Sequence, residues 1–443
     1  MRHSFGTKVA ACLSTVALAA AAGLFWMGSS ETASAYSGAQ AEAQSDPYAF
    51  PNIELCCKKK KTYRRRGHGN GYGNGNGGPW YPPGDDGPNG QPNGRWVRVS
   101  CGEPAPYSYS SIEEALERAG EGGHIRVRPG AACDISGLVI EQGVVIESDD
   151  NGYGGGRAEL RARDCATVAP SYGSSLVSFR GVDIDGCVIV QNGRLDFNEV
   201  NLASRGTGDA VRLNGGSFSS TDSTIRARGT ALNAVRGLTV SLTGGGFASG
   251  AKAESVVQLS VDGANLQNTL IKGGLVGVRI GMTGRYPVAF NRVQVLRGEA
   301  NEIYQIGPGQ AGILVGGPAP GDDLPTLPSL PGTSFTIEGG VIAGFADGLV
   351  FAPGTRGAAK GVNISHPGRG IVVGPGASVD LRDNRITRVK RTGIDLARGA
   401  VGSATLNDIQ CDNGSCVCYG GECTSRSDRD FGLFRMSGTR CDD

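Results

Sequence analysis

Charged residues near the C-terminal end of the chain fall into register when three copies of a short Gly-Leu/Ile pattern are aligned. The pattern recurs at spacings of 22 and 23 residues, as Gly348-Leu349, Gly370-Ile371 and Gly393-Ile394. Alignment places Asp347, Arg369 and Thr392 at equivalent positions, with further cations close by in the sequence. The patch then holds two carboxylates, Asp347 and Asp395, and three cations, Arg369, Lys390 and Arg391. Such a patch suits the binding of an anionic sugar, and a Lys or Arg in it can act as a general base.

The candidate site residues follow from this patch. The catalytic candidates are Lys390, Arg391 and His366, and the substrate-binding candidates are Arg369, Arg385 and Arg388. Two alternatives remain open. Charged residues at solvent-facing turns commonly form an ion-pair ladder without chemistry, and exposed arginines also keep a sheet soluble.

The elements that position these residues are short strand-like runs separated by Gly, Asn and Asp. A repeat of about 22 residues predicts a coil of three short strands, and stacked coils lie about 4.8 Å apart. Leu349, Ile371 and Ile394 then form one inward column. Asn384 and Asn407, one coil apart at a turn, predict a stacked amide ladder. About ten to twelve such coils are expected.

A short helix is expected just before the first coils. Ser110 and Ser111 each precede a Glu by three positions, which is typical of a capping box. Gly120 to Gly123 end this helix, and the alternation from His124 to Gly130 predicts a strand. The helix therefore plugs one end of the solenoid.

These motifs carry a family resemblance that covers the chain from Tyr109 onward. The capped segment Ser111-Ile112-Glu113-Glu114-Ala115-Leu116, the strand Gly122 to Gly130 and the Asn/Gly/Ile-rich coils resemble the pectate-lyase-like right-handed parallel β-helix superfamily. The resemblance implies an all-β fold, a single right-handed parallel β-helix with an N-terminal capping helix. The superfamily includes polysaccharide lyases, hydrolases, epimerases and exported proteins without catalysis, so fold alone does not decide the activity.

The resemblance also implies a way in which an acidic glycan would be processed. Lyases of this superfamily use an Arg or Lys base beside a uronate whose carboxylate is neutralised by calcium, and calcium takes oxygen ligands. On this reading Lys390 or Arg391 is the base, and Asp347 and Asp395 are the calcium ligands. The Trp-Ile-Asp-His string of pectate lyases and the Asp-Pro-His-Asp string of alginate epimerases are absent. Their absence makes non-catalytic binding the first expectation.

Cysteines mark both ends of the folded part. A disulfide framework is permitted in an exported chain. On the repeat geometry, Cys165 and Cys187 are candidates for either a bridge or stacked thiols. A metal knuckle between Cys411 and Cys423 is an alternative, although no His lies near it. The disulfide candidates are Cys101, Cys133, Cys165, Cys187, Cys411, Cys416, Cys418, Cys423 and Cys441.

The N-terminal part of the sequence predicts an export signal followed by a flexible linker. Residues 1–35 hold two cations, an apolar run and Ala33-Ser34-Ala35, which is typical of a signal peptide. Residues 36–95 are basic and then rich in Gly, Pro and Asn, which predicts a disordered linker. The expected domains are therefore 1–35 signal peptide, 36–95 linker, 96–410 β-helix and 411–443 Cys-rich cap.

Composition narrows the function. The chain holds 43 Lys plus Arg against 42 Asp plus Glu, which argues against a dedicated nucleic-acid binder. We expect a secreted, periplasmic or envelope protein that binds carbohydrate or an envelope component. Membrane association is expected only if the signal segment stays as an anchor. A lyase or epimerase acting on a uronate glycan, with calcium, is the alternative.

Overall fold

The computed structural model describes one all-β body with a single helix. The described residues are 96–102, 108–149, 156–171, 175–281, 286–298, 310–316, 333–365, 368–412, 414–424 and 431–442. The predicted signal peptide and linker lie outside these residues. Within them, no helix is long and apolar enough to cross a membrane.

The helix Ile112–Ala119 lies where the capping box places it. The Ser111 Oγ accepts a hydrogen bond from the Glu114 backbone N–H at 3.2 Å, and Gly120 ends the helix with a left-handed φ of 67°. The apolar face of the helix is buried against the strands Trp96–Val99 and Gly123–Val127. The capping helix predicted from the sequence is thus confirmed.

The rest of the body winds as a parallel β-solenoid of about 11 turns. Each regular coil gives one strand to each of three parallel sheets, which we name A, B and C in the order in which the chain passes through them. Sheet A comprises Trp96–Val99, Gly123–Val127, Val144–Ser148, Leu176–Arg180, Arg194–Asn198, Ser217–Thr221, Thr239–Thr243, Gly263–Gln267, Val288–Asn291, Ser334–Glu338, Arg356–Lys360, Ser378–Arg382, Val401–Thr405 and Phe434–Ser437.

Sheets B and C share two long strands, Glu159–Val168 and Asp183–Val190, which pass through the corner between the two sheets. The other strands of sheet B are Ala132–Asp134, Asn201–Ser204, Thr224–Ala227, Gly246–Ser249, Leu270–Lys272, Gln294–Leu296, Val341–Ala343, Asn363–Ser365, Arg385–Val389, Asp408–Cys411 and Arg440–Asp442. The other strands of sheet C are Val139–Ile140, Val211–Leu213, Leu232–Ala234, Ser255–Leu259, Val276–Ile280, Ala311–Val315, Asp347–Phe351, Arg369–Val373, Thr392–Leu396 and Ser415–Tyr419. Glu422–Thr424 pairs antiparallel with the last of these.

The core is a set of inward columns, because equivalent residues of successive coils pair in register. Leu349 pairs with Ile371 and Ile371 with Ile394, and all three are fully buried. The aromatic residues join these columns: the rings of Phe179, Phe197 and Phe218 pack edge to face with centroids 5.8 and 5.3 Å apart. The predicted repeat and its inward column are confirmed.

From Arg180 onward, the described turns from sheet A to sheet B share one residue with a positive φ. Where the next residue has a side chain, that side chain is buried in the interior. In two coils that interior residue is Asn384 or Asn407, and the Nδ2 of Asn384 donates to the Oδ1 of Asn407 at 2.9 Å. The predicted amide ladder is therefore present. The positive-φ residues are Gly181, Glu199, Asp222, Gly244, Asn268, Arg292, Gly339, Gly361, Asp383, Leu406 and Gly438.

The corner from sheet B to sheet C explains why the sequence pattern begins with glycine. A Cβ on Gly370 would lie 2.5 Å from the Gly393 carbonyl oxygen and 2.5 Å from the Ile386 Cγ2 atom. Gly348 and Gly393 meet the equivalent atoms of their own neighbouring coils. Only glycine therefore fits this column, which runs beside the charged residues of sheet C.

Disulfides lie near the N-terminal end of the solenoid. Cys101 is joined to Cys133 and Cys165 to Cys187, so the bridge is the alternative that holds for the second pair. At the other end, Cys418 is also disulfide-bonded. The sulfur atoms of Cys411 and Cys416 lie 3.6 Å apart, and the remaining two candidates are Cys423, whose backbone lies opposite Cys418, and the half-buried Cys441.

Parallel pairing continues beyond residue 410. Ser415–Tyr419 pairs with Thr392–Leu396 in sheet C, and Phe434–Ser437 pairs with Val401–Thr405 in sheet A. The cysteine-rich segment therefore adds strands to the solenoid, and its role as a cap stays a prediction.

Candidate functional site

The sheet C residues of the predicted patch occupy adjacent positions at the C-terminal half of that sheet. Asp347 pairs with Arg369 and Arg369 with Thr392, one strand after another. Asp395 lies one outward position further along its strand, next to Val372. The alignment made from the Gly-Leu/Ile pattern is thus confirmed as spatial proximity.

Arg369 is the centre of a three-residue ion cluster. Its Nε and Nη2 atoms each donate to the Asp347 carboxylate at 2.8 Å, and its Nη1 atom donates to Asp395 at 3.1 Å. The side chains are 36% exposed for Arg369, 15% for Asp347 and 29% for Asp395. The hydrogen bonds that Arg369 donates to Asp347 raise the pKa of the guanidinium above its already high ordinary value. The guanidinium therefore stays charged and cannot serve as a general base.

The two carboxylates of this cluster were the predicted calcium ligands. Both accept hydrogen bonds from Arg369, and a cation could reach them only by displacing the guanidinium. Across the described residues, no group of three or more His, Cys, Asp or Glu side chains is suited to hold a metal ion. In this arrangement Asp347 and Asp395 do not fit a calcium site, and calcium dependence stays a prediction.

The predicted bases lie at the corner between sheets B and C. Lys390 and Arg391 are both exposed. The backbone of Arg391 is fixed between coils, since its N–H donates to the Gly368 carbonyl at 2.8 Å and its carbonyl accepts from the Ser415 N–H at 2.7 Å. His366 lies outside the described residues. The structure thus places Lys390 and Arg391 beside the ion cluster and leaves their chemical role a prediction.

Arg385 and Arg388 face a groove on the outer side of sheet B. The groove has a volume of about 540 Å³ and crosses three successive coils. Its polar lining offers hydroxyl, amide, guanidinium and carboxylate groups, from Asn363, Ser365, Arg385, Thr387, Arg388, Gln410 and Asp412. Arg385 is paired loosely with Asp408, with a Nε to Oδ2 distance of 3.6 Å and both side chains about half exposed or more.

A β-bulge brings Arg388 to this groove. The pairing of Arg385–Val389 with the next strand shifts between Ile386 and Val389, and Arg388 has a φ of 60°. A bulge inserts an extra residue and redirects its side chain, so Thr387 and Arg388 both lie on the groove side although they are adjacent in sequence. Two of the three arginines predicted to bind substrate, Arg385 and Arg388, therefore share one groove, while the third, Arg369, belongs to sheet C.

Sequence reasoning missed a second polar cluster, on the N-terminal half of sheet C. The Asn233 Nδ2 donates to the Asp209 carboxylate at 2.8 Å. Burial raises the pKa of Asp209, although the hydrogen bond from Asn233 lowers it. The outward position that holds Asn233 is taken by Arg212, Gln258 and Arg279 in neighbouring coils.

A signal for this cluster was present in the sequence. Gly208 and Gly229 are 21 residues apart, and their spacing aligns Asp209 with Thr230. The apolar residues that follow, Ala210-Val211 and Ala231-Leu232, are explained by packing in the core. The pattern therefore predicted a buried column and not a polar cluster. A half-buried carboxyl group with a perturbed pKa beside an amide and arginines is typical of functional sites and also of structural ion networks.

Comparisons with known proteins give fold-level likeness only. No family model matches the chain, and no curated protein matches it. The A-module of the mannuronan C-5 epimerase AlgE4 from Azotobacter vinelandii is similar over 74% of this chain and 94% of its own, at 14% identity and a TM-score of 0.43.

Two further solved structures show weaker similarity. The AlgE6 A-module from the same organism is similar over 74% of this chain and 92% of its own, at 14% identity and a TM-score of 0.39. The catalytic domain of a GH87 α-1,3-glucanase in complex with nigerose is similar over 79% of this chain and 69% of its own, at 15% identity and a TM-score of 0.36. Similarity at this level does not bear on function, so the assignment of a parallel β-helix rests on the strand pairing described above.

Proposed function

We propose that the chain binds an acidic polysaccharide in the groove of sheet B without processing it. The observation that carries the proposal is the placement of Arg385 and Arg388 in one groove with hydroxyl and amide side chains. A guanidinium donates a planar pair of N–H groups that matches a carboxylate. Hydroxyl and amide groups donate to and accept from sugar hydroxyls. The groove thus offers both kinds of partner that a uronate chain requires.

The shape of the groove supports a polymer as the ligand. It runs across three coils, which stack about 4.8 Å apart, and it lies on the outer surface of the solenoid. An internal segment of a polysaccharide can therefore bind in the groove, and the polymer does not need to insert its terminus. The ion cluster around Arg369 adds no free base, because its guanidinium is held protonated by Asp347.

The disulfides support a place outside the cytosol. Cys101–Cys133 and Cys165–Cys187 are bridged, and such bridges persist mainly in oxidising compartments. With the predicted signal peptide, they support a secreted, periplasmic or envelope protein whose partner is a polysaccharide of the surroundings or of the envelope.

The test is retention of the full-length protein on immobilised polyuronates, with a polynucleotide of matched charge as competitor. Replacement of both groove arginines by Gln is expected to weaken binding about 10- to 100-fold, since each charge-assisted hydrogen bond contributes about 1.5–3 kcal/mol and rim positions contribute less. Arg356→Gln is the matched control, because Arg356 is an exposed arginine on sheet A. Equal retention of the double variant and the wild type would refute the proposal.

Catalysis on the same class of glycan is the second candidate function. Two carboxylates converge on one cation at Arg369, beside the exposed Lys390 and Arg391, and this convergence favours an enzyme over an even ladder of paired charges. The retained fractions are therefore assayed for unsaturated-product absorbance, with and without calcium. Product that vanishes in Lys390→Ala or Arg391→Ala would establish a lyase. Retention without product supports binding alone.

A further inference from the structure

The middle of sheet A carries an outer surface with no charged side chain. Three successive strands, Ser217–Thr221, Thr239–Thr243 and Gly263–Gln267, hold only hydroxyl, amide and apolar residues, although 19% of the chain is charged. Six of their outward residues form what we name the hydroxyl–amide face: Ser219, Thr221, Ser241, Thr243, Asn265 and Gln267.

The hydroxyl–amide face is a regular array. Ser219 pairs with Ser241 and Ser241 with Asn265, while the second column follows the same register. Coils lie about 4.8 Å apart, and alternate residues of one parallel strand lie about 6.6 Å apart. The inward residues between them, Leu242 and Leu266, are fully buried. The backbone under the face is therefore held by the core, and binding there requires little further ordering of the protein backbone.

An exposed aromatic ring borders this face. Gly263 lies beside Thr239 in the same sheet, and a Cβ on Gly263 would lie 2.7 Å from the Tyr286 Cβ atom. Tyr286 thus occupies the space that an outward side chain of residue 263 would fill. The residue remains 61% exposed, so its ring contacts the sheet on one side and is open to solvent on the other.

We infer that the hydroxyl–amide face binds an extended neutral polysaccharide, with Tyr286 stacking on a sugar ring. The three strands offer no cation that would pair with a uronate or a phosphate, and the charge that the face does contact, the Asp196 carboxylate that accepts from the Ser219 Oγ at 2.6 Å, would repel such anions. Tyr combines a large apolar surface with a polar tip, which suits a sugar ring with its C–H face and its hydroxyl edge. Sugar hydroxyls can replace the water that the Ser, Thr, Asn and Gln groups bind, with their hydrogen bonds conserved.

The regular register of the sheet favours one shape of polymer. Parallel strands in register present their side chains in straight columns, so a ribbon-like β-linked chain meets more of them than a coiled α-linked chain does. This site is separate from the groove of sheet B in both its residues and its charge, and it stands whether or not the groove binds a uronate.

The experiment is retention of the full-length protein on amorphous cellulose and on chitin at low and high salt. We expect retention that is unchanged by salt, a loss of about tenfold in affinity for Tyr286→Ala, and a change within about twofold for Tyr286→Phe, which keeps the ring. Thr243→Val removes a hydroxyl group without changing the shape of the side chain and is expected to weaken binding severalfold. Thr405→Val, in the same outward column far from the face, is the matched control.

Two outcomes would overturn the inference. One is absence of wild-type retention on both polymers. The other is retention that Tyr286→Ala leaves unchanged but that replacement of Arg385 and Arg388 by Gln removes, since this would assign neutral glycans to the groove. Far-UV circular dichroism of each variant establishes that the solenoid is folded in the protein that is assayed.

Discussion

Replacement of Asn384 by Ala tests the part of the fold that holds the groove strand in place. Asn384 is fully buried at the turn that leads into Arg385–Val389. Its Oδ1 accepts from the Val362 N–H at 3.1 Å, and its Nδ2 donates to the Ala359 carbonyl at 2.9 Å and to the Asn407 Oδ1 at 2.9 Å. The side chain thus links three successive coils.

The magnitude follows from these three hydrogen bonds. Each contributes about 1 kcal/mol net, and the buried partners left unsatisfied cost about 1–3 kcal/mol each when they find no replacement. Asn407 keeps the backbone N–H of residue 384 as a donor at 3.1 Å, which limits the damage on that side. We therefore expect Asn384→Ala to lower the free energy of unfolding by about 3–5 kcal/mol.

The assay is urea unfolding followed by circular dichroism, together with hydrogen exchange of the Val362 amide. Stability in a repeat protein is a sum over neighbouring coils, so the exchange rate reports the local loss even if unfolding is not two-state. Asn291→Ala is the control, because Asn291 is exposed on sheet A and is expected to change stability by no more than about 0.5 kcal/mol. A loss below about 1 kcal/mol for Asn384→Ala would refute the view that the ladder carries this turn.

Three further predictions concern stability. Gly370→Ala forces a methyl group against a backbone carbonyl and an isoleucine and is expected to cost about 1–3 kcal/mol or more in thermal unfolding, whereas Gly208→Ala, with open space around it, serves as its control; equal melting temperatures would contradict the packing argument. The Cys165→Ser, Cys187→Ser double variant loses a bridge that spans 22 residues of sequence and is expected to lose about 2–4 kcal/mol under non-reducing conditions, a difference that a reductant should abolish. Because burial raises the pKa of Asp209 above its ordinary 3.8, the folded chain holds this proton more tightly than the unfolded chain does, and stability from this group falls as the pH rises through the folded pKa; Asp209→Asn is therefore expected to melt above the wild type at neutral pH and to match it below the ordinary pKa, and the reverse order would contradict the assignment.

The periodic part of the structure could be predicted from the sequence because the core demands it. An inward column such as Leu349, Ile371 and Ile394 packs only if each coil returns to the same register. The apolar residues of successive coils therefore recur in the sequence at nearly constant spacing. The capping box at Ser111 lies within one helical turn, and the amide ladder at Asn384 joins adjacent coils. Both could therefore be predicted from the sequence once the repeat was known. For the same reason the alignment found Asp347 and Arg369 as neighbours.

The outer surface could be predicted only in part, because outward residues are free of the packing constraint. The bulge at Arg388 depends on how one strand pairs with the next, and nothing in the sequence around it marks a φ of 60°. Asp209 precedes Ala210 and Val211, which are both buried. Their packing in the core accounts for the repeat at this point, so the repeat gave no reason to single out Asp209. The position of Tyr286 depends on a glycine in the preceding coil, 23 residues earlier.

Salt dependence separates the two surfaces more sharply than any single substitution does. Arginines at the exposed rim of a groove attract a polyanion through interactions that salt screens over about 8 Å at physiological ionic strength. Hydroxyl groups and an aromatic ring act through contacts that salt leaves nearly unchanged. Since the outward columns of sheets A and B are built from different residues of each coil, a substitution on one leaves the backbone of the other in place. Acidic-glycan retention that falls with salt, beside neutral-glycan retention that does not, would therefore show two independent sites on one solenoid.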